Sequence, residues 1–97
     1  MEKLYTAQTA NDATKGNKIV SLGRELAVQA WGTWDTATLG VYLSVDGTNG
    51  VLLSDLTFTD DGFIAIQIPA GVHVWAELSS VGASTNVNCW IAGQGGD

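Results

Sequence analysis

Thr38-Leu39-Gly40-Val41-Tyr42-Leu43-Ser44-Val45, running into Asp46-Gly47-Thr48-Asn49-Gly50, is the stretch that decides the fold. Leu39, Val41, Leu43 and Val45 fall at alternate positions, the period of a strand with one face in a core. The five residues that follow hold an Asp-Gly and an Asn-Gly pair, which supply the positive φ angles of a tight hairpin loop. Val51-Leu52-Leu53 then returns as the second arm.

The same grammar extends in both directions. Upstream, Ile19–Leu22 is a short strand ended by Gly23, and Glu25–Trp31 is a second with Leu26, Val28 and Ala30 in phase. Gly32–Asp35 reads as a turn or bulge around Trp34, a residue the pattern does not place. Downstream, Leu56–Thr59 extends the returning arm or stands alone. Phe63–Ile68 carries Ile64, Ile66 and Ile68 in phase, after the turn Asp60-Asp61-Gly62. Val72–Ser79 follows Pro69-Ala70-Gly71, and Asn86–Ala92 closes the series with Val87, Cys89 and Ile91 in phase. About seven short strands, short turns and no helical period predict an all-β chain: one antiparallel β-sandwich or jelly-roll-like domain. One-sided alternation favours antiparallel pairing, because doubly buried parallel strands read as unbroken apolar runs. Residues 1–17 show no sustained period, and Leu4 and Tyr5 are their only large apolar pair. They are expected to form an extended N-terminal arm ahead of a sandwich over 18–92, with 93–97 as a flexible tail.

Composition narrows the function classes. The chain has 97 residues, one cysteine, four basic and ten acidic side chains, and a net charge of −6. Lys3, Lys15, Lys18 and Arg24 all lie in the first quarter, so a nucleic-acid partner, which needs clustered cations, is not expected. No apolar run is long enough for a membrane helix. Met1-Glu2-Lys3 is not followed by an apolar signal core, so synthesis in a cytoplasm without export is expected. Cys89 has no disulfide partner, and Cys89 with His73 falls short of a zinc ligand set. Asp60-Asp61 with Asp46 lacks calcium-loop spacing, and no cofactor or metal is expected. His73 has no nucleophile and orienting partner in pattern, and Ser79, Ser80 and Ser84 sit in turns, so no catalytic residue is assigned.

The tryptophan phase carries the functional signal. Trp31 falls with Ala27 and Gln29, Trp75 with His73 and Glu77, and Trp90 with Asn86 and Asn88, each on the nominally polar face of its strand. Two readings fit. Aromatic side chains on an outer face make a contact surface; or the arm or a loop covers them, or a bulge shifts the phase. On the first reading Trp31, Trp75, Trp90 and His73, with Leu4 and Tyr5 of the arm, form an interface. A chain this small gains stability from a partner, so a homo-oligomer is expected.

Several stretches resemble short bacteriophage virion proteins. These are Ala30-Trp31-Gly32-Thr33-Trp34, Ala37 to Gly47, Thr59-Asp60-Asp61-Gly62, Ile68-Pro69-Ala70-Gly71 and Ser84 to Asn88, spread over Leu26–Ile91, about two-thirds of the chain. The motifs are mostly turn chemistry. The resemblance is to β-sandwich decoration or cement proteins on the outside of phage heads. It implies a structural role in the virion, a symmetric oligomer (commonly a trimer), and the major capsid protein as partner. It supplies no site motif. Head fibres and tail components would share these features. A carbohydrate-binding module that stacks glycans on exposed Trp is the rival from another class.

Overall fold

The computed structural model describes residues 2–11 and 18–93; the rest of the expected arm and residues 94–97 of the expected tail lie outside the described residues. Eight strands follow one another: β1 (Glu2–Gln8), β2 (Ile19–Val20), β3 (Glu25–Thr33), β4 (Thr38–Ser44), β5 (Val51–Phe58), β6 (Gly62–Gln67), β7 (His73–Ser79) and β8 (Asn86–Ala92). They form two four-stranded sheets, β1-β8-β3-β6 and β2-β7-β4-β5. Every pairing is antiparallel.

The pairings reveal how the chain is wound. β1 pairs β8, β2 pairs β7, β3 pairs β6 and β4 pairs β5, so the chain is one long double ribbon doubled back at the β4–β5 hairpin. The ribbon is rolled up so that β3 also meets β8 and β4 also meets β7. That is the jelly-roll topology, with the apolar phase of each strand facing the opposite sheet. Leu26, Val28 and Ala30 of β3, Leu39 and Val41 of β4, and Val87, Cys89 and Ile91 of β8 are all sealed in this core.

Three details differ from the periodicity. The first is a correction: residues 2–8 are not an arm but β1, an edge strand of the sandwich, and Leu4 and Tyr5 belong to the core, not to an interface. The pairing steps from Lys3↔Trp90 to Tyr5↔Cys89, two residues against one, so a bulge at Leu4 turns two consecutive side chains inward. A period-2 reading cannot register such a pair. The Tyr5 hydroxyl donates to the Ala76 carbonyl of β7 at 2.9 Å, which ties β1 across to the second sheet. The second is that β5 is continuous, but its pairing jumps from Gly40↔Thr57 to Tyr42↔Leu52, so the irregularity falls where the sequence pattern breaks. The third is Trp34. It is buried in the core cluster, and its indole N–H donates to the Asp61 carboxylate at 2.8 Å. Asp61 also accepts from the Gly32 amide at 3.0 Å, so that carboxylate pins the turn after β3.

Candidate functional site: the outer face of the β1-β8-β3-β6 sheet

From Glu25 to Trp31, β3 shows Gln29 and residues in its phase to solvent, because Leu26, Val28 and Ala30 occupy the core side. Trp31 therefore stands outward, half-buried, as does Trp90 on β8. Register then assembles a row across all four strands. Lys3 lies opposite Trp90, Trp90 opposite Gln29, and Gln29 opposite Phe63. Ala92, Ala27 and Ala65 make the neighbouring row and keep it low. Trp31 sits diagonally from Trp90, ring centroids 5.2 Å apart and planes at 72°, an edge-to-face contact. The Lys3 ammonium is 4.5 Å from the Trp90 ring centroid, within cation–π range. Between these side chains lies a shallow apolar depression of about 360 Å³, lined by Ala27, Gln29, Trp31, Phe63, Trp90 and Ala92. Phe63 is 67% exposed at its rim.

This face can bind by apolar contact and by stacking, with one amide and one cation to orient what it meets. The sequence brought Trp31 and Trp90 here by phase; Phe63, Gln29 and Lys3 were missed. The available signal for Phe63 was its place at alternate spacing from Ala65 and Gln67, opposite the isoleucines.

Trp75 is the second correction. Its phase places it on the outer face of the other sheet, yet it is only 1% exposed. It stacks on Tyr42, its cross-strand neighbour, at 6.2 Å with planes 3° apart. The loop after β4 packs against the Trp75 and His73 rings: a Cβ added at Gly50 would overlap the indole of Trp75, and one at Gly47 would meet the His73 ring at 3.1 Å. The Trp75 indole N–H donates to Glu77 at 3.0 Å. Of the two open readings of the tryptophans, a covering loop holds for Trp75 and His73, and an outward aromatic face holds for Trp31 and Trp90. His73 is half-buried, and its Nδ1 is enclosed without a hydrogen-bond partner among the described residues.

The covering loop is held by one carboxylate. Asp46 accepts from the Thr48 and Asn49 amides, both at 2.8 Å, from the Ser44 hydroxyl at 2.7 Å and from the Asn49 side chain at 2.7 Å. The Asn49 and Thr48 amides, more than any other contact, hold its carboxyl well below the ordinary 3.8. Asp46 is thus turned onto its own loop and Asp61 onto the turn after β3, and among the described residues no three His, Cys, Asp or Glu side chains gather as a metal site. Cys89 is enclosed in the core, and burial pushes its thiol up to about 12. No helix among the described residues is long and apolar enough to cross a membrane. No family model, curated protein or solved structure matches the chain.

Proposed function

We propose that this chain is a structural subunit of a bacteriophage virion, of the capsid decoration or cement type. In this reading it self-associates, and it docks on the major capsid protein through the outer face of the β1-β8-β3-β6 sheet. The observation that carries the reading is the Lys3–Trp90–Gln29–Phe63 row with Trp31 beside it, a rigid aromatic surface on regular strands rather than on loops. Large aromatics in this setting are the usual energetic centres of protein interfaces. Viral capsid domains use the same jelly-roll architecture, which supports the reading by analogy of fold alone. The test is co-sedimentation of the purified protein with capsid shells of the encoding phage. The wild type should bind saturably, and Trp31→Ala should weaken binding by about 30-fold, the loss expected of a hot-spot residue, with an unchanged circular dichroism spectrum. Wild-type protein that stays in the supernatant at all concentrations would overturn the reading.

One observation favours a second reading. The Gln29 amide lies between Trp90 and Phe63 in the same row, so a glycan stacked on either ring would meet a hydrogen-bonding side chain there. Lectin domains also use jelly rolls. Saturable glycan binding that Trp90→Ala or Phe63→Ala abolishes, without shell binding, would establish this alternative.

A further inference from the structure

The two sheets have four edge strands, and three carry the devices by which sheet edges avoid pairing with other chains. β1 bears Lys3, two breaks in register and a positive φ of 51° at Ala7. β2 is two residues long. β5 bears the exposed Asp55 and a large irregularity opposite Gly40 and Tyr42. β6 has none of these. It runs Gly62-Phe63-Ile64-Ala65-Ile66-Gln67 without charge or proline and pairs regularly with β3 over all six residues, from Ala30↔Gly62 to Glu25↔Gln67. Among the described residues no strand pairs with its outer edge. Its core-side residues Ile64 and Ile66 are only partly buried, whereas Leu26 and Val28 on the adjacent β3 are fully enclosed.

We infer that the β6 edge is a self-pairing surface, on which β6 of a second copy of this chain adds antiparallel about a two-fold axis. The inference rests on the self-association in the proposed function and gives it a location. An open edge binds extended backbone. Three features choose a second copy. Keeping both faces in phase and most of β6 paired leaves registers centred on Ile64 or on Ala65. The first runs Gln67 against the Asp61 turn, which is tied to Gly32 and Trp34, so the second is taken, with Ala65 opposite Ala65 of the second copy, Phe63 opposite its Gln67 and Ile64 opposite its Ile66. The half-exposed isoleucines of each copy would then cover one another. Charge selects the direction. Asp60-Asp61 lies at the start of β6, and the exposed Arg24, next to Glu25, lies by its end. Antiparallel pairing sends the two acidic turns to opposite ends, each toward the Arg24–Glu25 pair of the other copy, where the charges balance, whereas parallel pairing would stack four carboxylates together. The two outer faces would join as one eight-stranded surface with two aromatic rows. This two-fold arrangement replaces the trimer that the resemblance implies.

The experiment is native mass measurement across micromolar concentrations for the wild type, Ala65→Lys and Trp31→Ala. Ala65 is exposed in the isolated chain, so its substitution leaves the core intact, but in the pair two lysines would face each other across the axis. The expected result is a species of twice the 10.1 kDa chain mass for wild type and Trp31→Ala, and a monomer for Ala65→Lys. A trimer, or an Ala65→Lys protein that still assembles, would overturn β6 pairing and leave self-association standing. A monomeric wild type would overturn both. If Ala65→Lys fails to fold, hydrogen exchange on the wild type decides. β6 amides should become more protected as concentration rises, and protection independent of concentration would overturn the pairing.

Discussion

Trp75 and Trp31 occupy equivalent phases on their strands, yet water reaches only one of them. The difference lies in a loop. Gly50 presses on the Trp75 ring because it has no Cβ, and the four hydrogen bonds to Asp46 keep the loop in place. Trp75→Ala is therefore expected to leave a cavity under the loop and to cost about 3 kcal/mol, whereas Trp31→Ala should cost about 1 kcal/mol or less. Urea midpoints of the two variants check this, and equal losses would contradict the placement of Trp75. The loop also has a pH signature. A carboxyl held below its ordinary 3.8 contributes stability that is complete above that value and is lost as pH falls toward its folded-state value. Trp75 emission should change on acidification below about pH 3.8, and Asp46→Asn should show the loosened loop already at neutral pH. Acid titration of a Trp31→Phe, Trp90→Phe background, with the remaining Trp34 emission subtracted by the same background carrying Trp75→Phe, isolates the signal. The tryptophan phases were readable from spacing alone; the cover over Trp75 was not, because the Asp-Gly and Asn-Gly pairs announce a turn without saying which face it folds onto.

At the level of elements, the legible strands are those whose pairing is regular. β6 and β8 each pair with β3 in one register, and there alternation in the chain maps directly onto alternation in burial; β4 and β7 keep one register with each other, but Gly40 and Trp75 are enclosed out of phase. β1 was illegible for the opposite reason, since its bulge buries the neighbours Leu4 and Tyr5 together. Its removal is costly: truncation of residues 1–8 strips two core side chains, each worth about 2–5 kcal/mol, from a domain whose whole stability is on the order of 5–15 kcal/mol. The truncated chain is expected to be largely unfolded by circular dichroism, and a native spectrum with an unchanged midpoint would show β1 to be dispensable. Tyr5→Phe is the gentler probe. It keeps the ring and leaves the buried Ala76 carbonyl without the 2.9 Å bond from Tyr5, at a cost of about 1–3 kcal/mol in the urea midpoint.

For the molecule as a whole, the nested pairing 1-8, 2-7, 3-6, 4-5 makes the first and last strands neighbours and the β4–β5 hairpin the farthest turn of the roll. Cys89 reports on this winding. On β8 it is paired on one side with Tyr5 and on the other with Ala30, so a thiol reagent reaches it only when β1 leaves or the roll opens. Burial that lifts its pKa to about 12 also keeps the folded thiol unreactive near neutral pH, since the thiolate is the nucleophile. β1 is an edge strand with an interrupted ladder, so the cheapest opening is its peeling rather than collapse of both sheets. Labelling should then accelerate with urea less steeply than global unfolding does, because less surface is exposed in the labelled state. Tyr5→Phe should speed labelling by the same factor by which it destabilises β1. A urea slope for labelling equal to the equilibrium m-value would mean that β1 and the rest of the roll open as one unit, and the winding order would have no counterpart in the order of opening.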